Sequence, residues 1–243
     1  MKSMLLIADV STKLDPTDYV GFTFFVGSMA MMAAAAFFFL SLSQFDRKWR
    51  TSILVSGLIT FIAAIHYFYM RDYWFANGES PTFFRYVDWL LTVPLMCVEF
   101  YLILKVAGAK QSLMWKLIFA SVIMLVTGYF GEAVFMGQAA FWGGVSGVAY
   151  FYIVYEVWAG SAKKLAVSAG GDVLRSHKIL CWFVLVGWAI YPLGYMLGTE
   201  GWYTSIIGSG SVDVVYNIAD AINKIGFGLV IYSLAVKKQV AIN

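Results

Sequence analysis

The sequence predicts an all-α membrane protein in which one bundle of seven transmembrane helices takes up the whole chain, residues 1–243. Hydrophobic residues make up 61% of the chain and charged residues only 13%, which leaves too little charged surface for a soluble domain of this length. Seven apolar segments, each long enough to cross a bilayer, alternate with short polar loops. They cover residues 19–42, 52–70, 83–105, 113–130, 139–158, 179–197 and 212–236.

Short polar runs, two of which contain proline, mark the ends of these segments. The run DPTD at 15–18 precedes the first segment and SPT at 80–82 precedes the third, and both are typical of helix starts. The glycine-containing run at 168–172 predicts a flexible loop between the fifth and sixth segments. The apolar run at 4–8 is too short to span a membrane, and removal of an N-terminal signal stays an alternative.

The positions of the Lys and Arg residues predict the orientation of the bundle. Loops that follow the odd-numbered segments hold twelve of them: Arg47, Lys48, Arg50, Lys105, Lys110, Lys116, Lys163, Lys164, Arg175, Lys178, Lys237 and Lys238. The opposite side holds only Lys2, Lys13 and Arg71. Because positively charged loops stay in the cytoplasm, we expect the N-terminus outside and the C-terminus in the cytoplasm.

The seventh segment carries two ionisable residues near its middle, Asp220 and Lys224. Burying each charge at that depth costs about 2.5 kcal/mol or more. Four residues correspond to about 400° of helical rotation, so both side chains lie on one face and can offset each other's charge. Two interpretations follow: a helix-stabilising ion pair, or a lysine that holds a carbonyl compound as a Schiff base beside a carboxylate.

The third segment carries a column of polar residues on one face. Asp88 and Glu99 are eleven residues apart, so they share a face to within roughly 20° and lie roughly 16 Å apart along the axis. Thr92 lies on the same face between them, and Arg85 precedes Asp88 on the outer side. Carboxyl groups at two depths are typical of a proton path. Polar contacts between helices are the alternative.

The second and sixth segments supply further candidates. His66 lies well inside the second segment, either as a packing residue or as a partner that couples its titration to that of Asp88. Trp188 and Tyr191, together with Trp89, are placed to line an elongated apolar ligand between helices. We expect proline to kink both the sixth segment, at Pro192, and the third, at Pro94. For Cys97 and Cys181 we expect core packing rather than a disulfide or a metal site.

The remaining candidates are less specific, and the sequence has no nucleic-acid-binding module. Gly143, Gly144 and Gly147 form a small-residue patch that is typical of a close helix contact. Glu132 and Glu200 lie at outer segment ends, where we expect solvated loop residues. Glu156 is either a surface residue that reaches the headgroups or part of an access route for protons.

Three stretches make the chain resemble the microbial rhodopsins, and their proteorhodopsin branch in particular. They are RYVDWLLTVPL at 85–95 with Glu99 beyond it, WAIYPLGY at 188–195 and YNIADAINKIGFG at 216–228. The resemblance covers all seven segments. It implies a light-driven outward proton pump in the bacterial inner membrane, with protons as the transported ion and a ring-shaped homo-oligomer, a pentamer or hexamer, as its assembly.

The resemblance also implies a role for each ionisable residue of the core. All-trans retinal is joined to Lys224 as a protonated Schiff base, Asp88 is the counter-ion and proton acceptor, and Asp220 is the second counter-ion. Arg85 balances the carboxylates, and Glu99 returns a proton from the cytoplasmic side. The pocket around retinal comprises Lys224, Trp89, Thr92, Met96, Trp188, Tyr191, Pro192 and Tyr67.

Single positions refine this expectation. His66 matches the histidine that proteorhodopsins place against the counter-ion. Met96 matches a colour-tuning position, where Leu or Met accompanies green absorption and Gln accompanies blue, so we expect green. Phe25 departs from the tryptophan expected to meet His66 across a subunit boundary, which puts that contact in doubt. The sequence leaves an antenna carotenoid undetermined.

Two other functions fit parts of the sequence. A sensory rhodopsin would run the same proton steps slowly and signal to a partner, but a donor carboxylate at Glu99 favours fast turnover. A seven-helix receptor without a chromophore would use Asp220 and Lys224 only as an ion pair. Short loops and the absence of DRY and NPxxY motifs argue against that receptor.

Overall fold

A computed structural model describes residue 15, residues 17–198 and residues 209–240 of the chain. The described residues are almost entirely helical, and they contain no β-strand. Their α-helices are α1 (Tyr19–Ser41), α2 (Arg47–Asn77), α3 (Thr82–Leu104), α4 (Gln111–Tyr129), α5 (Ala139–Trp158), α6 (Ser161–Ala169), α7 (Gly171–Trp182), α8 (Ile190–Gly198) and α9 (Ser209–Val240).

The long helices form the predicted seven-span bundle. Six stretches of the described chain are long and apolar enough to cross a membrane: Tyr19–Gln44, Arg47–Asn77, Thr82–Ala107, Gln111–Val134, Gly171–Leu197 and Val212–Gln239. The seventh span is α5, whose 20 residues reach about 30 Å. Helix α5 has a lower mean hydropathy than these six stretches, because it contains several glycine, tyrosine and tryptophan residues. Sequential helices pack side by side, and α9 closes the ring against α1, α2, α7 and α8.

Capping residues explain where the first helices begin and end. The Asp18 carboxylate accepts a hydrogen bond from the Gly21 amide at 3.0 Å and so caps α1, as the sequence predicts. Its second oxygen accepts from Trp74 Nε1 at 3.0 Å, which fastens α1 to the end of α2. Gly78 ends α2 in the left-handed conformation, with φ of 68°. Helix α2 is longer than the predicted span because polar residues extend it beyond the apolar core at both ends.

The prediction of a flexible loop at 168–172 is wrong. Helix α6 runs to Ala169, and α7 begins at Gly171, so Gly170 alone joins two helices. Ala162 and Ala166 are fully buried on one face of α6, and this burial stabilises a helix of 9 residues that is too short to be stable alone.

The sixth span is interrupted around its proline, in the region where the sequence predicts a distortion. Residues Phe183–Gly187 form a π-helical turn between α7 and α8, closed by a hydrogen bond from the Trp188 amide to the Phe183 carbonyl at 3.0 Å. Pro192 has no amide hydrogen to give to the Trp188 carbonyl, and the Tyr191 amide donates to that carbonyl instead, at 3.2 Å. Helix α3, in contrast, continues through Pro94.

Both cysteines pack inside the bundle, as the sequence predicts. Cys97 and Cys181 are both buried and both free. No group of three or more His, Cys, Asp or Glu side chains in the described part of the chain is placed to hold a metal ion.

Candidate functional site

The site is centred on Lys224, whose amine lies between two carboxylates in the middle of the bundle. Lys224 Nζ is 2.6 Å from Asp88 Oδ2 on α3 and 2.5 Å from Asp220 Oδ2 on α9. All three side chains are at most 3% exposed. The ion pair predicted within α9 therefore forms, and α3 adds a second carboxylate. Two buried carboxylates thus face one buried amine and offset its charge.

Neighbouring side chains fix the geometry of Asp220. The Tyr191 hydroxyl donates a hydrogen bond to Asp220 Oδ1 at 2.9 Å. Asn223 Nδ2 donates to the Gly187 carbonyl at 3.0 Å and to the Tyr191 hydroxyl at 3.3 Å. A Cβ atom at Gly187 would overlap the Asn223 side chain, so glycine there permits the close approach of α9 to the π-helical turn.

In the predicted orientation, Arg85 lies on the outer side of this centre, where it faces a carboxylate that we did not predict. Its Nη2 donates to Asp213 Oδ1 at 2.7 Å and to Asn217 Oδ1 at 3.0 Å. Among the residues that the structure describes, Asp213 is the one carboxylate within 4.0 Å of Arg85. Arg85 therefore makes no direct ion pair with Asp88 or Asp220.

Glu99 lies apart from the centre, on the cytoplasmic side in the predicted orientation. It is fully buried on α3, and its Oε1 accepts a hydrogen bond from the Ser56 hydroxyl of α2 at 2.9 Å. Thr92, between Asp88 and Glu99, donates its hydroxyl to the Asp88 backbone carbonyl at 2.9 Å. The three polar residues of the predicted column are thus all buried within the bundle.

His66 approaches Asp88 without a hydrogen bond between the two side chains. Its Nδ1 is 3.9 Å from Asp88 Oδ1 and 2.9 Å from the Ile62 carbonyl of its own helix. The His66 side chain is 21% exposed, whereas Asp88 is completely buried. The histidine therefore lies between the buried centre of the bundle and the exposed face of α2.

An apolar cavity opens beside the Lys224 amine. Six of the predicted pocket residues line it: Lys224, Trp89, Met96, Trp188, Tyr191 and Pro192. Thr92 and Tyr67 do not line it. Tyr67 packs against Phe24, with its ring centre 6.0 Å from Lys224 Nζ. An amine at the end of an apolar cavity suits a long hydrophobic aldehyde that forms an imine with the lysine.

The sequence reasoning missed several polar residues of the cavity wall. Four unpredicted polar residues line the cavity: Tyr86, Tyr150, Tyr216 and Asn223. Tyr150 donates its hydroxyl to the Leu185 carbonyl of the π-helical turn at 2.8 Å.

Helix α9 carries a regular series of polar residues that includes the unpredicted Asp213 and Asn217. The series is Asp213, Asn217, Asp220 and Lys224, at intervals of four, three and four residues. This helical spacing is the signal that would have identified Asp213 and Asn217.

The glycine patch of α5 divides into two parts. A Cβ atom at Gly143 would lie 2.8 Å from the Tyr195 ring of α8, so Gly143 makes the predicted close helix contact. Gly144 and Gly147 would meet nothing within 4 Å. Gly147, like Gly143, lines the cavity, where a small residue leaves room for a ligand.

Glu132 differs from expectation, and for Glu156 one of the two alternatives is excluded. Glu132 is not a solvated loop residue, because α4 continues into a π-helical turn, Phe130–Val134, which brings this carboxylate to the Tyr86 hydroxyl at 2.7 Å. Glu156 is not a surface residue either. It is 5% exposed and accepts hydrogen bonds from the Ser161 amide and hydroxyl at the start of α6. Glu200 lies outside the described residues.

Comparison with known proteins agrees with this geometry. Residues 18–238 match the model of a family described as bacteriorhodopsin-like protein. A green-light absorbing proteorhodopsin from gamma-proteobacterium EBAC31A08 is 44% identical over 233 residues, which cover 93% of this chain and 90% of that protein. A blue-light absorbing proteorhodopsin from gamma-proteobacterium Hot 75m4 is 44% identical over 235 residues, with the same coverage.

Solved structures extend the agreement to three dimensions. The blue light-absorbing proteorhodopsin from Med12 has a TM-score of 0.77 and 41% identity, with 90% of this chain and 99% of that chain covered. Thermophilic rhodopsin has a TM-score of 0.83 and 31% identity, with 94% and 97% covered. With its seven-span bundle and its buried lysine between two carboxylates, the chain belongs to the bacteriorhodopsin-like protein family.

Proposed function

We propose that the chain is a light-driven pump that moves protons outward across the bacterial inner membrane, with all-trans retinal bound to Lys224. The observation that carries the proposal is the position of Lys224 Nζ, 2.6 Å from Asp88, with a second buried carboxylate, Glu99, further along α3. Relatives that are called green-light and blue-light absorbing proteorhodopsins support the same function.

The cavity residues fit retinal, which is an elongated apolar aldehyde. Trp89 and Tyr191 contact each other edge to face, with ring centres 4.8 Å apart, and Trp188 is 4% exposed in the same cavity wall. These large rings exclude water and fix the orientation of the ligand. Retinal bound as an imine supplies a light-driven isomerisation that redirects the N–H at Lys224 Nζ.

The residues around Lys224 determine where its proton goes. Asp88 is the proton acceptor, because one of its oxygens is next to Nζ and the other has no hydrogen-bond partner among the described residues. Asp220 keeps its charge, since both Tyr191 and Lys224 donate to it. Transfer to Asp88 thus moves the proton toward the outer half of the bundle, where Arg85 lies.

Glu99 completes the transport by returning a proton to Lys224 Nζ. Its carboxyl group is fully buried and bonded to Ser56, in a part of the bundle where the uncharged carboxylic acid is favoured. The cytoplasm then refills Glu99. The outward direction of transport depends on the orientation of the chain in the membrane. The Lys and Arg asymmetry of the loops favours an orientation with Glu99 on the cytoplasmic side of Asp88. A pentameric or hexameric ring is the assembly that we expect.

The proposal is tested by adding all-trans retinal to the purified chain and incorporating the product into sealed vesicles. We expect a visible absorption band that hydroxylamine removes under light, and a light-dependent pH change across the membrane. A chain that never becomes coloured would contradict the role of Lys224. A coloured chain that transports no protons would favour a sensory function.

The donor role of Glu99 gives a kinetic prediction. In Glu99→Gln the Ser56 hydrogen bond can still form, but the side chain has no proton to give. We expect the return of the proton to Lys224 Nζ to slow by at least about 100-fold, the usual effect of losing a positioned acid, with its loss to Asp88 unchanged. Flash spectroscopy measures both steps. Glu79→Gln, at an exposed position, is the control, and unchanged return kinetics in Glu99→Gln would exclude the donor role.

Met96 gives a spectroscopic prediction. Its side chain is 2% exposed and lines the cavity, and we propose green absorption for the native chain. In Met96→Gln, we expect a shift to shorter wavelength, because an amide dipole stabilises positive charge localised near Nζ more than charge spread along the ligand. Met29→Gln, which is 41% exposed before substitution, should leave the spectrum unchanged. An unshifted spectrum in Met96→Gln would rule out colour tuning by this residue.

A further inference from the structure

Asp213 is a buried carboxylate that the proposed proton cycle does not use. It lies on α9, seven residues before Asp220, which places it on the same helix face and about 10 Å further outward. Its residue surface is 3% exposed. A carboxylate so deeply buried at the outer end of a membrane helix needs a compensating charge.

Arg85 supplies that charge through a close and well-enclosed contact. Arg85 Nη2 donates to Asp213 Oδ1 at 2.7 Å, and the Ser80 hydroxyl donates to the same oxygen at 2.8 Å. The guanidinium carbon of Arg85 lies 5.0 Å from the ring centre of Phe24 and 5.3 Å from that of Tyr216. Two aromatic faces and a carboxylate therefore hold the guanidinium in one place.

This contact determines how strongly Arg85 acts on the proton acceptor. The charged or titratable groups around Asp88 come from three helices. They are Lys224 and Asp220 of α9, His66 and Tyr67 of α2, and Tyr191 of α8, which is bonded to Asp220. Arg85 is the cation on their outer side, and its ion-pair partner is Asp213. Glu132, at the end of α4, acts electrostatically on the same outer region.

We propose that Asp213 is a positioning residue that holds the Arg85 guanidinium outward and thereby sets the electrostatic potential at Asp88. The proposal rests on the proposed function, since it concerns the acceptor of the pump. With Asp213 neutral, the charge of Arg85 is no longer offset and the inner carboxylates become its nearest anionic partners. Either effect makes the potential at Asp88 more positive, so that a proton binds to Asp88 less readily.

The experiment measures the absorption spectrum of the retinal-bound protein as a function of pH. Protonation of Asp88 in acid removes the counter-charge of Lys224 and moves the absorption band to longer wavelength. In Asp213→Asn we expect the midpoint of this colour change to fall by about one pH unit, the effect of one unit charge about 10 Å away at an effective dielectric constant of about 20.

Two variants separate positioning from a general effect of charge or folding. Asp213→Glu keeps the charge and should keep the midpoint within about 0.3 pH unit of the native value. Asp72→Asn also removes the carboxylate of an outer Arg–Asp pair, 2.9 Å from Arg71, but Asp72 is 43% exposed. Because solvent screens an exposed charge, we expect a midpoint shift below about 0.3 pH unit there too.

Other results for the Asp213 and Asp72 variants would contradict the positioning role of Asp213. An unchanged midpoint in Asp213→Asn, or an equal shift in Asp72→Asn, would show that Asp213 does not set the potential at Asp88. If Asp213→Asn and the smaller Asp213→Ser both fail to bind retinal while Asp213→Glu succeeds, Asp213 serves folding rather than positioning. A native chain that forms no pigment would instead overturn the proposed function itself.

Discussion

Asp88→Asn should abolish proton transport while leaving a coloured protein. Asparagine has nearly the shape of aspartate but does not accept a proton at this position, so the proton of Lys224 Nζ loses its acceptor. We expect the light-driven transport rate to fall by at least about 100-fold, as is usual when a positioned base is lost. The loss of one negative charge 2.6 Å from Nζ should also shift the absorption to longer wavelength.

Vesicles that contain the variant provide the measurement, with Asp72→Asn as the matched control. Asp72 is a half-exposed carboxylate outside the centre, and its loss should leave both transport and colour unchanged. Asp220 remains beside Lys224 in Asp88→Asn, so the buried cation keeps one partner and the fold should persist. Transport at the native rate in Asp88→Asn would remove Asp88 from the role of acceptor.

Substitution of Lys224 should have the second large effect, complete loss of pigment. Lys224→Ala removes the amine that forms the imine, and it also leaves Asp88 and Asp220 buried without their cation. Such an unpaired buried charge destabilises a protein by about 3–5 kcal/mol, so loss of colour alone would not distinguish chemistry from unfolding.

Lys224→Arg makes that distinction. The guanidinium keeps a positive charge between the two carboxylates but is not a nucleophilic amine. We therefore expect a folded, helical and colourless protein, measured by circular dichroism and visible absorption after addition of retinal. Lys238→Ala, at a partly exposed position near the end of α9, should bind retinal normally. A visible, hydroxylamine-sensitive band in Lys224→Arg would contradict attachment at this residue.

The parts of the site that could be predicted from the sequence are those set by helical spacing and by depth. Asp220 and Lys224 are one turn apart in an apolar span, and Asp88 and Glu99 share a face of another. The length of the apolar segments likewise predicts seven spans. In a membrane an apolar segment of spanning length can be read as a helix, because the backbone N–H and C=O groups must form hydrogen bonds within that segment.

The parts that could not be predicted depend on where a helix ends or changes its winding. Asp213 lies close to the end of a span, where a carboxylate is usually solvated, and its burial follows from the position of Arg85 on another helix. Glu132 turns inward because α4 ends in a π-helical turn, which leaves no clear pattern in a single sequence. The junction at Gly170 is helical on both sides because α6 buries a face against its neighbours.

Outward proton transport driven by light is best measured in an unbuffered suspension of cells that express the chain and have been supplied with retinal. Under green light we expect acidification of the medium, which a protonophore abolishes and darkness reverses. Alkalinisation, or no pH change from cells that are visibly coloured, would show that the chain is not an outward proton pump.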